Sequence, residues 1–170
     1  SDNMLKVKKH GVLLEPTTEP FENAGVFNPA CIQHGGHLHM FYRAFSKEKR
    51  STIGYCKLNG PLSVEHRSKK PLLPSKKKYE YSLEDPRIVK IGSTYYLTYV
   101  AYDGKNVRIA YATSKDLKHF KKEGVISPEI TYDLAEDIFR RCEKKLKERY
   151  FLFESYFKDI VGKDVILWDK

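Results

Sequence analysis

The sequence predicts an all-β fold made of repeated sheets, and two observations lead to that prediction. Short segments rich in Tyr, Phe, Val, Ile and Thr are separated by turn residues, which is typical of β-strands. The pattern also repeats with a period of about 57 residues, and several strands per repeat at such a period indicate β-propeller blades. Two hairpins that resemble each other by chance are the alternative. Because a propeller has roughly four to eight blades, we expect these 170 residues to be part of a longer propeller rather than a different β fold.

The two blade-like repeats span about 25–74 and about 82–128. The dipeptide Asn28-Pro29 of the first repeat corresponds to Asp85-Pro86 of the second. A glycine follows in each repeat, and two strand-like segments come after it, over 37–44 and 52–56 in the first repeat and over 94–101 and 108–112 in the second. Turn residues and a proline end each repeat, so each predicts three or four short strands.

The repeat pattern stops near residue 131 and a helical pattern replaces it. Asp133 and Glu136 have the spacing of a capping box. Apolar residues then recur every four positions at Leu134, Ile138, Cys142 and Leu146, with opposite charges four residues apart beside them. We therefore predict an α-helical insertion near 132–158, within a segment of about 131–158. The next blade would start at about 163–170, and an exposed aromatic patch on the insertion would suit a homo-oligomer contact.

Composition excludes several classes of protein. Hydrophobic residues make up 41% of the chain, which excludes a disordered chain, and no apolar run is long enough to span a membrane. The net charge of +9 comes without a nucleic-acid-binding motif, so we expect no nucleic-acid partner. Neither the three cysteines nor the histidines at 34, 37 and 39 have metal-ligand spacing, so we expect no metal. The scattered thiols favour a cytoplasmic protein, with a periplasmic one as the alternative.

Six segments carry a resemblance to a known family, and they lie at 25–30, 41–44, 51–54, 84–88, 98–104 and 112–117. The most specific are Glu84-Asp85-Pro86-Arg87 and Tyr102-Asp103-Gly104. Together they resemble glycoside hydrolase family 130, the mannoside phosphorylases and β-mannosidases, over about 11–128. The resemblance implies a five-bladed β-propeller with a central active site. The chain would then be the N-terminal part of one propeller domain over 1–170, covering about two to two and a half blades.

The resemblance also implies roles for individual residues. Asp85 matches the family's catalytic acid, and Asn28 and Arg43 match residues that hold the sugar beside it. The family often has an arginine directly after the serine that matches Ser51, and Lys49 or Arg50 could replace it here, so Arg50 is a candidate sugar ligand. Asp103 is also a candidate, because it belongs to the second matching motif. Asp169-Lys170 is aligned as the third counterpart of Asn28-Pro29 and Asp85-Pro86. At a similar position, family phosphorylases have a basic residue that contacts phosphate. The resemblance therefore makes Lys170 a candidate phosphate ligand.

The reaction implied by the resemblance is inverting phosphorolysis of a β-mannoside, which releases mannose 1-phosphate. An inverting enzyme needs one acid for the leaving oxygen and a nucleophile on the opposite face of the sugar. Phosphate arrives already anionic, so basic side chains that hold it replace a second carboxylate. The expected partners are a β-mannoside oligosaccharide and inorganic phosphate, with no cofactor. A β-mannosidase on the same fold and a non-catalytic glycan-binding propeller are the alternatives, and the sequence leaves linkage preference open.

Overall fold

The computed structural model describes residues 5–73, 80–126 and 130–131 of the chain. A short 3₁₀ helix, Pro20–Glu22, precedes nine strands. They are β1 (Gly25–His34), β2 (His37–Phe45), β3 (Ser51–Leu58), β4 (Val64–Arg67), β5 (Ser82–Ile91), β6 (Thr94–Tyr102), β7 (Asn106–Ser114), β8 (Lys121–Val125) and β9 (Ile130–Thr131). The predicted helical insertion, the predicted start of a third repeat and Lys170 lie outside the described residues.

The strands form two antiparallel sheets, which confirms the all-β class. The first sheet has the order β1-β2-β3-β4, and the second has the order β5-β6-β7-β8 with β9 paired to β7. Strands β1–β4 and β5–β8 are therefore meanders in which successive strands are neighbours, the arrangement that short turns between strands favour. Within the described residues no helix is long and apolar enough to cross a membrane.

The main core lies between the two sheets and follows from the alternation of side chains along each strand. On β6 every second residue from Tyr95 to Ala101 is buried. These side chains form one cluster with residues of β2, β3, β5 and β7; it comprises Phe41, Ile53, Leu73, Leu83, Tyr95, Leu97, Tyr99, Ala101, Ala110, Ala112 and Leu117. Apolar residues from both sheets thus bury each other, as neighbouring sheets must do to cover their faces.

A second, smaller core covers the other face of the first sheet. Met40, Tyr42 and Ala44 of β2 pack there with Cys56 and Leu58 of β3. Leu13, Leu14 and Phe21, which precede β1, pack against this cluster. Phe41 lies in the main core, so consecutive residues of β2 supply opposite faces of the sheet.

The first strand of each sheet contains a β-bulge at the same place. On β1 the register shifts between Phe27 and Ala30, so that Asn28 and Pro29 together face a single residue, Tyr42, of β2. On β5 it shifts between Glu84 and Arg87, so that Asp85 and Pro86 face Tyr99. Proline lacks the N–H that a strand ladder would use, and an unpaired bulge position therefore suits it.

Each sheet also holds a buried carboxylate between a tyrosine and a cation, which the sequence did not reveal. Glu22 is 1% exposed, and it accepts hydrogen bonds from the hydroxyls of Tyr42 at 2.7 Å and Thr17 at 2.8 Å. Its Oε2 lies 2.5 Å from Arg67 Nη2 at the end of β4. Burial and the bond to Glu22 raise the pKa of Tyr42, so this phenol stays a donor.

The second sheet repeats this arrangement with different residues. Glu80, also 1% exposed, accepts a hydrogen bond from the Tyr99 hydroxyl at 3.0 Å, and its Oε2 lies 2.5 Å from Lys122 Nζ of β8. In both sheets the glutamate precedes the first strand, and the cation is on the fourth. The ion pair therefore ties the outermost strand of each sheet to the segment that leads into its first strand.

We predict that the Glu80 contacts contribute strongly to stability. Tyr99→Phe removes one donor from a buried carboxylate and should cost about 1–3 kcal/mol. Glu80→Ala removes the buried carboxylate that both the Tyr99 hydroxyl and the Lys122 ammonium contact, and it should cost about 3–5 kcal/mol. Urea unfolding of the protein measures both values. The control is Glu65→Gln at the exposed pair with Lys57, which should cost less than about 1 kcal/mol. A Tyr99→Phe loss no larger than the control would contradict the prediction.

Candidate active site

The two bulges bring Asn28 and Asp85 into direct contact. Both residues have left-handed backbone conformations, with φ of 47° at Asn28 and 49° at Asp85. Asparagine and aspartate are the residues besides glycine that adopt this region most readily. The Asn28 Nδ2 amide donates a hydrogen bond to Asp85 Oδ1. The structure therefore places the predicted catalytic acid and one predicted sugar ligand side by side, and it gives each the same backbone strain.

Arg43 lies directly opposite Phe27, the residue before Asn28, in the register of β1 and β2. Its Nε donates a hydrogen bond to Ser51 Oγ at 2.7 Å, and its Nη2 lies 3.2 Å from Glu84 Oε1. The ion pair is partly buried, with side-chain exposures of 27% for Arg43 and 14% for Glu84. Arg43 thus joins the first sheet to the residue immediately before Asp85.

Arg50 and Ser51 bind the entry to β5. The Arg50 Nε donates a hydrogen bond to the Tyr81 carbonyl at 2.9 Å, and its guanidinium lies over the Tyr81 ring, 5.1 Å from the ring centroid. The backbone N–H of Ser51 donates a hydrogen bond to Ser82 Oγ at 3.0 Å in a buried position. We call the set of four bonds between the two sheets the inter-sheet seam. Its pairs are Asn28–Asp85, Arg43–Glu84, Arg50–Tyr81 and Ser51–Ser82.

Asp103 lies in the hairpin turn after β6, at the same end of the second sheet as Asp85, since Tyr102 pairs with Ser82. Its Oδ1 accepts hydrogen bonds from the backbone N–H groups of Asn106 and Lys105 at 2.7 and 2.8 Å, and its Oδ2 lies 3.1 Å from Arg108 Nη1. The bonds from Asn106 and Lys105, with Arg108, hold the pKa of Asp103 below its usual value. This carboxylate is ionised and shapes its own hairpin.

Phe27 is an exposed aromatic side chain next to Asn28, and the sequence did not single it out. It is 47% exposed and packs against Phe45, with ring centroids 6.3 Å apart. The ring covers Gly25, where any Cβ would overlap it. A large apolar side chain left exposed beside a polar bulge is a candidate contact for a ligand. The signal in the sequence was a Gly-x-Phe-Asn run, since glycine in a strand often marks close approach of another group.

The structure therefore brings Asn28, Arg43 and Asp85 together and joins Arg50 to the same seam, whereas it places Asp103 in a neighbouring hairpin. It adds Glu84, Ser82 and Phe27 to the candidate site. The described residues contain no group of three or more His, Cys, Asp and Glu side chains arranged to hold a metal ion.

Comparison with protein families identifies the chain. Residues 7–170 match the model of glycoside hydrolase family 130, described as beta-1,4-mannooligosaccharide phosphorylase. This chain belongs to glycoside hydrolase family 130. The match includes Asn28, Arg43 and Asp85, the residues that the two sheets bring together. The resemblance predicted from the sequence segments is confirmed.

Curated relatives of this family 130 chain carry phosphorylase names. A beta-1,2-mannobiose phosphorylase from Thermoanaerobacter sp. (strain X514) is 31% identical over 165 residues, which cover 87% of this chain and 53% of that protein. A 1,2-beta-oligomannan phosphorylase from the same organism is 31% identical over 171 residues, which cover 92% of this chain and 56% of that protein. The chain therefore spans about half the length of the curated relatives it matches.

Solved structures share the fold of the described sheets. A glycosyl hydrolase from Bacteroides ovatus superposes with a TM-score of 0.61 at 27% identity, over 66% of this chain and 38% of that one. A structure reported with family 130 hydrolases that target beta-1,2 mannosidic linkages in Candida mannan gives a TM-score of 0.61 at 28% identity, over 66% of this chain and 38% of that one. The beta-1,2-mannobiose phosphorylase from Listeria innocua, at 19% identity and a TM-score of 0.58, covers 68% of this chain and 48% of its own and shares the fold alone.

We predict that the left-handed conformation of Asn28 makes this position tolerate glycine better than alanine. Asn28→Gly removes the amide contact with Asp85 and also the Cβ that strains the left-handed backbone, whereas Asn28→Ala removes the same contact but keeps the strained Cβ and should cost about 1–2 kcal/mol more. Urea unfolding of both variants measures the difference. Gln33, an exposed residue on the same strand, is the control position, where alanine should be no worse than glycine. Equal stabilities of the two Asn28 variants would contradict the prediction.

Proposed function

We propose that the protein cleaves β-mannosides by inverting phosphorolysis and releases mannose 1-phosphate. Inorganic phosphate is the co-substrate, and no other cofactor takes part. The observation that carries the proposal is the Asn28–Asp85 contact on paired bulges, within a family 130 chain whose curated relatives are named phosphorylases. A carboxylate set by a strained bulge at the end of a sheet is a typical arrangement for a catalytic group.

In the proposed reaction, Asp85 is the general acid. Its carboxylic acid gives a proton to the glycosidic oxygen as the bond from that oxygen to the sugar C1 breaks. Hydrogen phosphate attacks C1 from the opposite face, and a new C1–O–P bond forms with inverted configuration. The phosphate's own proton leaves and restores the acid. The products are mannose 1-phosphate and the remaining sugar with a free hydroxyl, so no second carboxylate is needed as a base.

The residues around Asp85 have supporting roles in the proposal. The Asn28 amide occupies Asp85 Oδ1, so the proton belongs on Oδ2. Arg43 uses Nε and Nη2 within the seam, and its remaining N–H groups would donate to sugar hydroxyls, as would Arg50. Phe27 would pack against the apolar face of a sugar ring. Asp103 would contact the sugar from the neighbouring hairpin.

The rest of the site belongs to parts of the protein beyond the two sheets. We place the sheets as two blades of a five-bladed propeller with the helical insertion after the second blade, and their shared meander form supports this. Basic residues from the later blades, beginning with Lys170, would hold the phosphate. A homo-oligomer contact through the insertion and a cytoplasmic location complete the proposal.

Hydrolysis is the second candidate, because one solved structure similar to this chain was reported with family 130 hydrolases that target beta-1,2 mannosidic linkages. One experiment separates the candidates. The protein is incubated with β-1,2- and β-1,4-linked mannobiose and longer manno-oligosaccharides, with and without phosphate, and mannose 1-phosphate and free mannose are measured. Mannose 1-phosphate that forms only with phosphate supports phosphorolysis. Mannose at the same rate without phosphate identifies a mannosidase, and binding without turnover identifies a glycan-binding module.

We predict that Asp85→Asn lowers kcat/KM by about 10²–10⁴-fold, the usual contribution of general acid catalysis. Asparagine keeps the shape and the left-handed conformation but cannot give the proton. Oligosaccharide affinity, measured by calorimetry without phosphate, should remain within about threefold, because the sugar contacts are kept. Glu123→Gln, on the exposed strand β8, is the control and should turn over normally. Near-normal turnover by Asp85→Asn would end the assignment.

For Lys170 we predict a selective effect on phosphate. Lys170→Ala removes one charge from the proposed anion site, so the KM for phosphate should rise about tenfold or more while the KM for the sugar changes less than about twofold. Steady-state kinetics with each substrate varied in turn measures the split, and Lys6→Ala, at the other end of the chain, is the matched control. Equal rises in both constants, or none, would refute the role.

A further inference from the structure

A histidine-rich cleft lies at the end of the sheets opposite Asp85. Its volume is about 550 Å³, and its walls carry His34, His37, His39, His66, Lys57, Asp116 and Lys118. The β1–β2 turn, where His34 pairs with His37, forms one side. Asn28 lies six residues earlier on β1, which corresponds to about 20 Å along a strand. The cleft is therefore separate from the candidate active site.

Two tyrosines fix the imidazole rings in the walls of the cleft. His34 Nδ1 lies 2.5 Å from the Tyr95 hydroxyl, and His39 Nδ1 lies 2.8 Å from the Tyr55 hydroxyl. His39 Nε2 also lies 3.2 Å from the His34 carbonyl, and the two rings meet edge to face with centroids 5.8 Å apart. Since Tyr95 belongs to the second sheet, this wall is built across both sheets and has a defined geometry.

Most charged groups around the cleft are paired, but two basic side chains in its walls have no carboxylate partner among the described residues. Glu65 accepts from both His37 and Lys57, at 3.1 and 3.4 Å. Asp116 is occupied within its own loop by Ser114, His119 and the backbone N–H groups of 118 and 119. In the described part of the chain, no hydrogen bond or ion pair engages the His66 ring or the Lys118 ammonium. A further positive charge lies close to this wall, since the Lys90 Nζ is 5.3 Å from the centroid of the Tyr95 ring.

The imidazoles also repel one another's charge. Burial lowers the pKa of His39, and the neighbouring positive charges of His34, His37 and Lys57 lower it further. The lowered pKa keeps His39 neutral over a wider range of pH, so its ring is a fixed, uncharged part of the wall. A bound anion would relieve this repulsion. A metal ion would not suit the walls, since the described residues hold no group of His, Cys, Asp and Glu arranged to ligate one.

We propose that this cleft binds a small oxyanion, a phosphate ester or free phosphate, through the N–H donors of its lysine and histidine side chains. Lys118 and His66 are the principal ligands, and Lys57 and His37 contribute as their bonds to Glu65 rearrange. Ammonium and imidazole N–H groups in a concave site donate to an oxyanion, and an imidazole that gains a proton adds positive charge, so binding should tighten as the pH falls. The proposal concerns a second site and does not depend on the reaction at Asp85.

Sulfate is the probe, because it remains divalent over the relevant pH range and only the protein titrates. Calorimetric titrations of the protein at constant ionic strength, at about pH 5.5 and about pH 8, lie on either side of the imidazole pKa. We expect a sulfate site that binds roughly tenfold more tightly at the lower pH, and we expect the double variant His66→Gln/Lys118→Gln to weaken it by roughly tenfold. Lys9→Gln/His10→Gln, an equal charge change in the exposed N-terminal segment, should leave it unchanged.

Subtracting the double variant's titration from that of the native protein isolates the cleft, whether or not the candidate active site also binds sulfate. Repeating the subtraction with mannose 1-phosphate and with inorganic phosphate separates a sugar phosphate from free phosphate as the preferred ligand. Both exchanged residues are exposed, and the single variant Lys118→Gln serves if the double variant is unfolded by circular dichroism. Identical titrations of native and variant proteins, or tighter binding at the higher pH, would overturn the proposal.

Discussion

The candidate site depends on one constraint, the left-handed bulge at the start of each first strand. A residue with positive φ interrupts the ladder at Asn28 and again at Asp85, and the following proline removes the N–H that would otherwise need a partner. The bulge turns both polar side chains out of the alternation of the strand and toward each other. Without the bulge, the side chains at this end of each sheet would simply alternate between its two faces, and Asn28 and Asp85 would not face each other.

A strained bulge persists only where its surroundings hold it, and the opposing tyrosines supply that support. Tyr42 and Tyr99 lie opposite the bulges and reach past the sheet to the buried carboxylates Glu22 and Glu80. Tyr42 passes over Gly54, where a Cβ would overlap its ring; in the second sheet Ala110 pairs with Tyr99. Each bulge is thus backed by a tyrosine that cannot move without removing a hydrogen-bond donor from a buried carboxylate.

The sequence predicted the fold class and the equivalence of Asn28 and Asp85, because Asn-Pro and Asp-Pro before a glycine and an aromatic strand are visible in the residue order. It could not predict Glu22 and Glu80 as buried residues, since hydrophobic patterning treats every carboxylate as exposed. It also could not show that Arg43 contacts β5 or that Arg50 contacts the residue before β5, because the spacing of residues within one sheet does not determine how that sheet packs against the next. Phe27 was missed for a related reason, as a strand phenylalanine is ordinarily assigned to the core.

The inter-sheet seam and the main core both join the two sheets, but they do so in different ways. Apolar packing around Phe41 and Leu97 supplies adhesion but little orientation, whereas directional bonds from Arg43, Arg50 and the Ser51 amide fix the position of β5 along its length. All of these bonds reach residues 81–85, at the end of the sheets that carries Asp85. The opposite end is joined by the Tyr95 contact to His34. Bonds at both ends of the sheets therefore limit how the first sheet can slide or rotate against the second, and the Asn28–Asp85 contact depends on that alignment.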